Sequence, residues 1–569
     1  MKTDIDPYAL KPWLAHYDNG VPETVNYEKR TLPEFLDQSA KERPNAMALS
    51  FMGYELTYKN LSAMVDAFAA TLLAMGIKKG DRVAILLPNV IPCVVSYYGV
   101  LKIGAVAVMN NPLYSDRELR HQFNDANAIL LITLDLLADR MVALRGETSI
   151  RKIIYTSIGD YLPFPKNLLF PLVAKKQKLA AKVTKAEGLL PWKPLIKQAP
   201  QLAKQPKIAF DDTAMLQYTG GTTGLSKGAE LTHANLSMQI QQLNAWLPEI
   251  DSPDEIMLGA LPFFHVMGLT VAMNFPIFRG WGNILVPKPQ PEQLLEAITR
   301  FRPTLAPLVP TMYIGLLNHP KIESCDLTAI KVCISGSAPL PQEIITQFEE
   351  KTGSTIIEAF GMTESSPATH VNPFGKGKRK IGSIGVPLPD TECRIANLND
   401  RNLTMPANEP GELVVRGPQV MRGYWNMAEE TQATLENGWL YTGDIAMMDD
   451  DGYFFIVDRI KDMIISGGYN VYPRDIDEVL FQHPEVVEAC AVGIPHEIRG
   501  EQIKAFVVLK QDAQATKKEI IDFCKTRLAV YKLPTQVEFR DSLPKTNVGK
   551  VLRKDLRQEE LERLSTPNK

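Results

Sequence analysis

The chain has 569 residues, 45% of them apolar and 22% charged, and its 62 basic against 65 acidic side chains give a formal charge of −3. That length exceeds what one hydrophobic core supports, so two or more domains are expected. The near-neutral balance excludes the basic excess of a nucleic-acid-binding surface, and no nucleic-acid partner is expected.

The opening MKTDIDPYAL has acids and an early proline where a signal peptide needs a basic start and an apolar run, so a cytoplasmic location is expected. Cys93, Cys325, Cys333, Cys393, Cys490 and Cys524 are scattered without a C-x-x-C pair or a histidine cluster. Their spacing fits neither a disulfide framework nor a zinc site; it fits small core residues in a reducing compartment.

Leu61, Met64, Val65, Phe68 and Leu72 recur at one-face helical spacing between Tyr58 and Met75, and Gly76 is a C-terminal stop. RVAILLP at 82–88 follows as a buried strand. Val90 to Met109 is the most membrane-like stretch. Lys102 interrupts it and Pro88 and Pro92 stand at its start, so it reads as a buried helix flanked by strands.

Short apolar runs recur at AILLITL (128–134), KIIYT (152–156), TLAPLVP (304–310) and KVCIS (331–335), with helical segments between them. This alternation predicts an α/β fold with largely parallel sheets. Leu168 to Lys185 holds five lysines and no acid; such a stretch is either a solvated surface helix or one that lies on an anionic membrane. The last hundred residues, from IDEVLFQHPEVVEACAVGIP through IKAFVVLK to KKEIIDFCKTRLA, predict a small α+β domain reached through VDRIKDMIISGGYN at 457–470.

Tyr218-Thr-Gly-Gly-Thr-Thr-Gly-Leu-Ser-Lys227-Gly228 carries the strongest local chemistry. Its glycines leave backbone N–H groups approachable, and its hydroxyls and lysine supply further donors for phosphate oxygens. It departs from the Walker A spacing, and a flexible turn is the alternative use of such residues.

This run resembles the phosphate loop of the adenylate-forming superfamily: acyl-CoA synthetases, luciferases and peptide-synthetase adenylation domains. The resemblance continues in order through PFFHVMGL (262–269), GSAPL (336–340), EAFGMTES (358–365), NGWLYTGDIA (437–446), DRIKDMIISGGYNVYP (458–473) and PKTNVGK (544–550). The later blocks are most like the bacterial long-chain fatty acid:CoA ligases. It implies a large N-terminal AMP-binding domain (1–457), a hinge (458–461) and a small mobile α+β domain (462–569). It also implies joining of a fatty acid to coenzyme A through acyl-AMP, with ATP and Mg²⁺.

The resemblance gives site residues too. Thr219, Gly220, Gly221, Thr222, Thr223, Gly224 and Lys227 would hold ATP phosphates. Glu364 would ligate Mg²⁺, and Thr363 would touch the α-phosphate. Phe360 would set a ring against adenine, standing where many members have Tyr, Gly336, Ser337 and Ala338 would line the other adenine face, and Glu358 and Gly361 would belong to the same ATP/AMP site. Asp444 would accept both ribose hydroxyls, and Arg459 would assist at the ribose or phosphate. Lys550 would bridge the carboxylate and α-phosphate. His265 would stand at the junction of the acyl pocket and thiol channel, followed by Leu269 where some members place a Trp. Asp458 and Lys461 would form the hinge, and Gly467 and Gly468 the face offered to pantetheine. Lys376, Lys378, Arg379 and Lys380 read better as solvated surface than as a grip on CoA phosphates.

Two other enzymes share the scaffold, a peptide-synthetase adenylation domain and an aryl-acid:CoA ligase. An inactive fatty-acid-binding scaffold is the alternative from another class. The first would carry an Asp in the PFFHV segment, and the scaffold would not need Lys550, Glu364, Asp444 and Arg459 together. The aryl alternative stays open here, as do a homodimer and peripheral contact with a membrane.

Overall fold

The computed structural model describes residues 8–177, 180–202, 205–219, 226–375, 378–466, 469–496, 499–511, 513–546 and 550–565. Contacts divide the chain into two compact units, His16–Glu392 with Arg416–Gly438, and Met1–Ala15 with Cys393–Val415 and Trp439–Lys569.

In the larger unit the expected alternation of strands and helices is present. Helix Tyr58–Ala74 starts where Thr57 Oγ1 accepts the Asn60 N–H (3.3 Å) and buries Leu61, Val65, Phe68 and Leu72. Gly76 stops it at φ +85°, a conformation open to glycine. The apolar stretch after Pro88 is a helix, Ile91–Lys102, buried along its whole length, followed by strand Val106–Met109. Its one charge, Lys102, is only 3% exposed and holds Asp37 and Asp66 at 2.6 Å each. A buried cation survives because two carboxylates meet it.

Among the described residues the larger unit has two sheets, the first of nine strands. Its parallel centre runs Thr355–Gly361, Val332–Ser335, Leu305–Leu308, Ile256–Gly259, Gly282–Leu285 and Met47–Phe51. The second has eight, with Thr213–Thr219, Val106–Met109, Arg82–Leu86, Ala128–Leu134 and Lys152–Thr156 parallel and adjacent. These strands are the continuous apolar runs of the sequence because helices cover both faces of parallel sheets.

The smaller unit has its own core, built from Ile464, Val471, Ile476, Leu480, Ala491, Ile503, Val507, Ile520 and Val537. Helices Pro473–Phe481 and Lys517–Lys525 accompany a sheet whose longest pair is Val486–His496 against Gly500–Leu509. By contact this unit also takes in the antiparallel pair Trp439–Met448 and Phe454–Arg459, most of which precedes residue 458. Trp13 joins it from the far N-terminus, its ring 6.1 Å from that of Phe454.

Among the described residues no helix is long and apolar enough to cross a membrane. The first part of the lysine-rich stretch at 168–185 lies in helix Lys166–Gln177, and Leu168, Leu169 and Leu172 of that helix are exposed.

Candidate active site

The residues expected at the site gather, in the larger unit, where parallel strands end, the position at which open α/β sheets bind ligands. Strand Val332–Ser335 runs into Gly336, Ser337 and Ala338, and its parallel neighbour Thr355–Gly361 carries Glu358, Phe360 and Gly361. A Cβ on Gly361 would stand 2.0 Å from the Pro367 carbonyl oxygen, so only glycine lets the chain turn there. The turn continues as a short 3₁₀ helix, Thr363–Ser365, which holds Thr363 and the buried Glu364. Ser337 sits at φ +71°, a strained backbone for a residue with a side chain.

Glu364 is 7% exposed and accepts the Tyr424 hydroxyl on Oε1 at 2.7 Å. Burial, then the Glu364 carboxylate, raise the Tyr424 phenol well above its ordinary value, so Tyr424 stays protonated and donates. The Tyr424 ring also lies 5.1 Å from Lys227 Nζ, which pairs with Glu430. Tyr424 thereby joins the Glu364 turn to the strand bearing Lys227, since Tyr424 and Ala229 are partners in an antiparallel pair.

Strands Thr213–Thr219 and Lys227–Thr232 form a hairpin with Thr219 opposite Lys227. Gly220, Gly221, Thr222, Thr223 and Gly224 lie outside the described residues. Ser226, the first described residue after them, accepts from Gln122 Nε2 at 3.1 Å and contacts His121 Nε2 through its carbonyl at 2.8 Å.

His265 follows a segment clamped by Asn89, whose amide donates to the Gly259 and Leu261 carbonyls and accepts the Phe263 N–H at 2.9 Å. Gln217 Nε2 donates to the Phe264 carbonyl at 2.8 Å, coupling this segment to the strand before the loop. Burial lowers the His265 imidazole to about 4, so it is neutral at physiological pH, and its Nε2 is buried without a partner among the described residues. Leu269 is fully buried.

In the smaller unit the structure brings together Asp444, Arg459 and Lys550. Asp444 and Arg459 are cross-strand partners, with Arg459 Nε 3.0 Å from Asp444 Oδ1. Asp444 is 3% exposed and its Oδ2 has no partner among the described residues, a buried acceptor awaiting a donor. Burial, then the Arg459 guanidinium, lower the Lys550 ammonium to about 8 against the pull of Asp444 and Asp462. Asp458 is buried and accepts the Arg459 and Arg474 N–H groups at 2.7 and 2.8 Å, while Lys461 is exposed on the turn that follows. Gly467 and Gly468 lie outside the described residues.

One expectation is corrected. Arg379 is not solvated surface: its guanidinium pairs with Glu349 and donates to the Ile356 carbonyl, and Lys378 donates to the Tyr17 carbonyl. These contacts brace the loop after the sheet edge. Lys376 lies outside the described residues.

Tyr424, Glu430 and Arg553 escaped the sequence reading. Tyr424 meets Glu364 across a separation of 60 residues and Glu430 meets Lys227 across 203, distances at which no spacing rule operates.

The family model described as AMP-binding enzyme matches residues 36–425, and that of the AMP-binding enzyme C-terminal domain matches residues 475–550. The chain is an AMP-binding enzyme. This AMP-binding enzyme is 46% identical, over 97% of its length and 99% of the relative, to a long-chain-fatty-acid–CoA ligase of Bacillus subtilis (strain 168). It is 37% identical, over 96% of its length and 98% of the relative, to one of Escherichia coli O157:H7. The crystal structure of ATP-bound MatB from Rhodopseudomonas palustris superposes with a TM-score of 0.81 at 29% identity, covering 93% of this chain and 99% of that one.

Proposed function

We propose that this AMP-binding enzyme is an ATP-dependent fatty acid:CoA ligase acting on medium- to long-chain acids, in the cytoplasm, through an acyl-AMP intermediate. The near-complete likeness to relatives bearing the name long-chain-fatty-acid–CoA ligase carries this reading. In the first step a carboxylate oxygen attacks the α-phosphorus of ATP, forming the acyl phosphate bond as the bond to pyrophosphate breaks. In the second the CoA thiolate attacks the acyl carbonyl and AMP leaves. Neither step needs a covalent bond to the protein, so positioning and charge neutralisation supply the rate.

Thr219, the Gly220–Gly224 loop and Lys227 are assigned to the β- and γ-phosphates, and Thr363 to the α-phosphate. Phe360, with Gly336, Ser337, Ala338, Glu358 and Gly361, is assigned to adenine. Asp444 suits the ribose hydroxyls because it is an acceptor-only carboxylate with a buried oxygen that has no partner among the described residues. Lys550 would neutralise charge where carboxylate and α-phosphate meet, assisted by Arg459.

Glu364 fits Mg²⁺. The ion takes one or two protein carboxylates and completes its shell with phosphates and water, and Glu364 is a single buried carboxylate steadied by Tyr424. The bound ion would neutralise the departing pyrophosphate. The neutral His265 is assigned to guiding the thiol and acyl groups, Asp458 and Lys461 to the hinge between 1–457 and 462–569, and Gly467 and Gly468 to the pantetheine arm. A homodimer and peripheral contact with a membrane are further readings, tested by the mass of the chain in solution and by its sedimentation with lipid vesicles.

The test is release of pyrophosphate and AMP against aryl, short, medium and long acids, with and without CoA. Acid-dependent pyrophosphate release that peaks with medium to long alkyl acids, and AMP release that needs CoA, is the expected result. A peak with aryl acids would replace the substrate, and no acid-dependent signal would overturn the reading.

A further inference from the structure

Helix Asp116–Asp125 takes no part in the assignments above, yet its last two turns reach the ends of three strands that carry or hold phosphate-side residues. Leu119 and Phe123 seat it in the core of the eight-stranded sheet. Asp125 follows His121 by four residues and Gln122 by three, so the three side chains share one face. Asp125 Oδ2 accepts the Tyr218 hydroxyl at 2.6 Å, at the end of the strand that carries Thr219. To get there the Tyr218 ring crosses its partner Gly228 on the neighbouring strand, where a Cβ would stand 3.2 Å from the phenol carbon. Burial, then Asp125, hold the Tyr218 phenol well above its ordinary value, so it keeps its proton and donates.

The strand that carries Lys227 is held one residue ahead of it. His121 Nε2 meets the Ser226 carbonyl, and Gln122 Nε2 donates to the Ser226 hydroxyl. A carbonyl only accepts, so this contact puts the imidazole proton on Nε2. Gln122 is buried, and its Oε1 accepts the Asn110 amide at 2.7 Å, which fixes the direction of its own amide. A third set of bonds starts from the same turn. The Asp125 carbonyl accepts the Trp425 indole N–H at 3.2 Å and the Asn426 amide at 3.3 Å, and the Trp425 backbone N–H donates to the Gly228 carbonyl at 2.8 Å. Trp425 follows Tyr424, the residue that steadies Glu364.

The hairpin has its own ladder of backbone hydrogen bonds; what the helix adds is a common frame. Groups that act together on one pyrophosphate must keep their separations, since a misplacement of about 1 Å can cost about a hundredfold in rate. We propose that His121, Gln122 and Asp125 are positioning residues for the first half-reaction, holding Thr219, Lys227 and the Tyr424–Glu364 pair in one frame around the β- and γ-phosphates. This role rests on the ligase reading, and it confines the effect to one step. The second half-reaction meets no β- or γ-phosphate and should not feel the loss of the frame.

The test is calorimetric titration of the full chain with Mg·ATP and with AMP, beside assays of the two half-reactions. Tyr218→Phe and His121→Leu should each weaken Mg·ATP about tenfold or more and leave AMP within about twofold of wild type. Both should slow acid-dependent pyrophosphate release about tenfold or more, with thioester formation from supplied acyl-AMP within about twofold. His121→Gln puts a donor where Nε2 stood and should recover most of the loss. Unchanged Mg·ATP binding in the two variants would overturn the proposal. So would equal weakening of Mg·ATP and AMP, equal loss in both half-reactions, or a His121→Gln protein as impaired as His121→Leu, since each would leave the helix a structural support alone. Nucleotide binding is read without acid or CoA. A wild type that binds Mg·ATP but releases no pyrophosphate with any acid would overturn the ligase reading instead, so the two failures are distinguishable.

Discussion

Lys550 has a guanidinium for a neighbour, and that sets a pH limit on the first half-reaction. Burial and Arg459 bring its ammonium down to about 8. It is therefore mostly charged at pH 7 and loses its proton as pH rises through about 8. With the cation required for attack on the α-phosphorus, kcat/KM for ATP in acid-dependent pyrophosphate release should fall about tenfold per pH unit above that value. Lys550→Arg keeps its charge and should move the limb above about pH 10; an unmoved limb would remove Lys550 from the role. Lys550→Ala should lose pyrophosphate release by about two or more orders of magnitude yet still make thioester from supplied acyl-AMP. Asp444→Asn leaves the shape but takes away the charge and half the acceptor capacity, so KM for ATP should rise about tenfold or more, a loss of about 1.4 kcal/mol. An unchanged KM would free Asp444 from the ribose. Asp444, Glu364 and Lys550 could be singled out in the sequence because each sits inside a motif with order and spacing. Tyr424 could not be, because a hydroxyl that closes on Glu364 through the tertiary fold leaves no local pattern.

Elements show the same divide between local and distant causes. The strands at 82–86, 128–134 and 152–156 were readable from apolar runs bounded by turn residues, since burial on both faces writes itself into consecutive positions. What holds the Lys550 segment was not readable. Arg553, the first residue of helix Arg553–Ser565, reaches Asp477 at 3.0 Å and the Ala491 carbonyl at 2.6 Å, anchoring the segment to helix Pro473–Phe481 and strand Val486–His496. Burial raises the Asp477 carboxyl to about 6, held down from higher by Arg553. Arg553→Ala would leave that carboxylate buried and unpaired, a loss of about 3 kcal/mol. The sign with pH follows. A carboxyl raised above its unfolded value of about 3.9 binds its proton more tightly in the folded state, so stability falls as pH rises from about 4 through 6. Without Arg553 the folded value climbs further. The variant's melting deficit should be widest near pH 8 and narrow toward about pH 5; a deficit flat across that range would mean the carboxylate is not its cause.

At the scale of the whole molecule, a smaller C-terminal part was legible from the change in texture over the last hundred residues, but the contact boundary was not. Residues 393–415 and 439–457 pack with the C-terminal part, and Trp13 reaches the same unit from the other end of the chain. Those associations are made by strand pairing and ring packing between distant segments, which composition does not record. Contact density and the point of rotation are separate properties, and the hinge proposal concerns the second. At the proposed pivot, Asp458 is fixed by two backbone N–H groups, while Lys461 is exposed on a turn closed by the Asp462 and Met463 N–H groups donating to the Arg459 carbonyl at 3.0 and 3.1 Å. A fixed residue followed by an open one is where a backbone can swivel without breaking a core. Proline at 461 would lock one φ near −65° and restrict Ile460 as well. If the smaller domain must turn between half-reactions, Lys461→Pro should leave acid-dependent pyrophosphate release within about twofold of wild type and slow thioester formation from supplied acyl-AMP by about a hundredfold. Stopped assays of the two half-reactions separate these outcomes. An undiminished thioester rate would show that the turn at Lys461 does not move during catalysis, and equal loss in both halves would make it a structural turn.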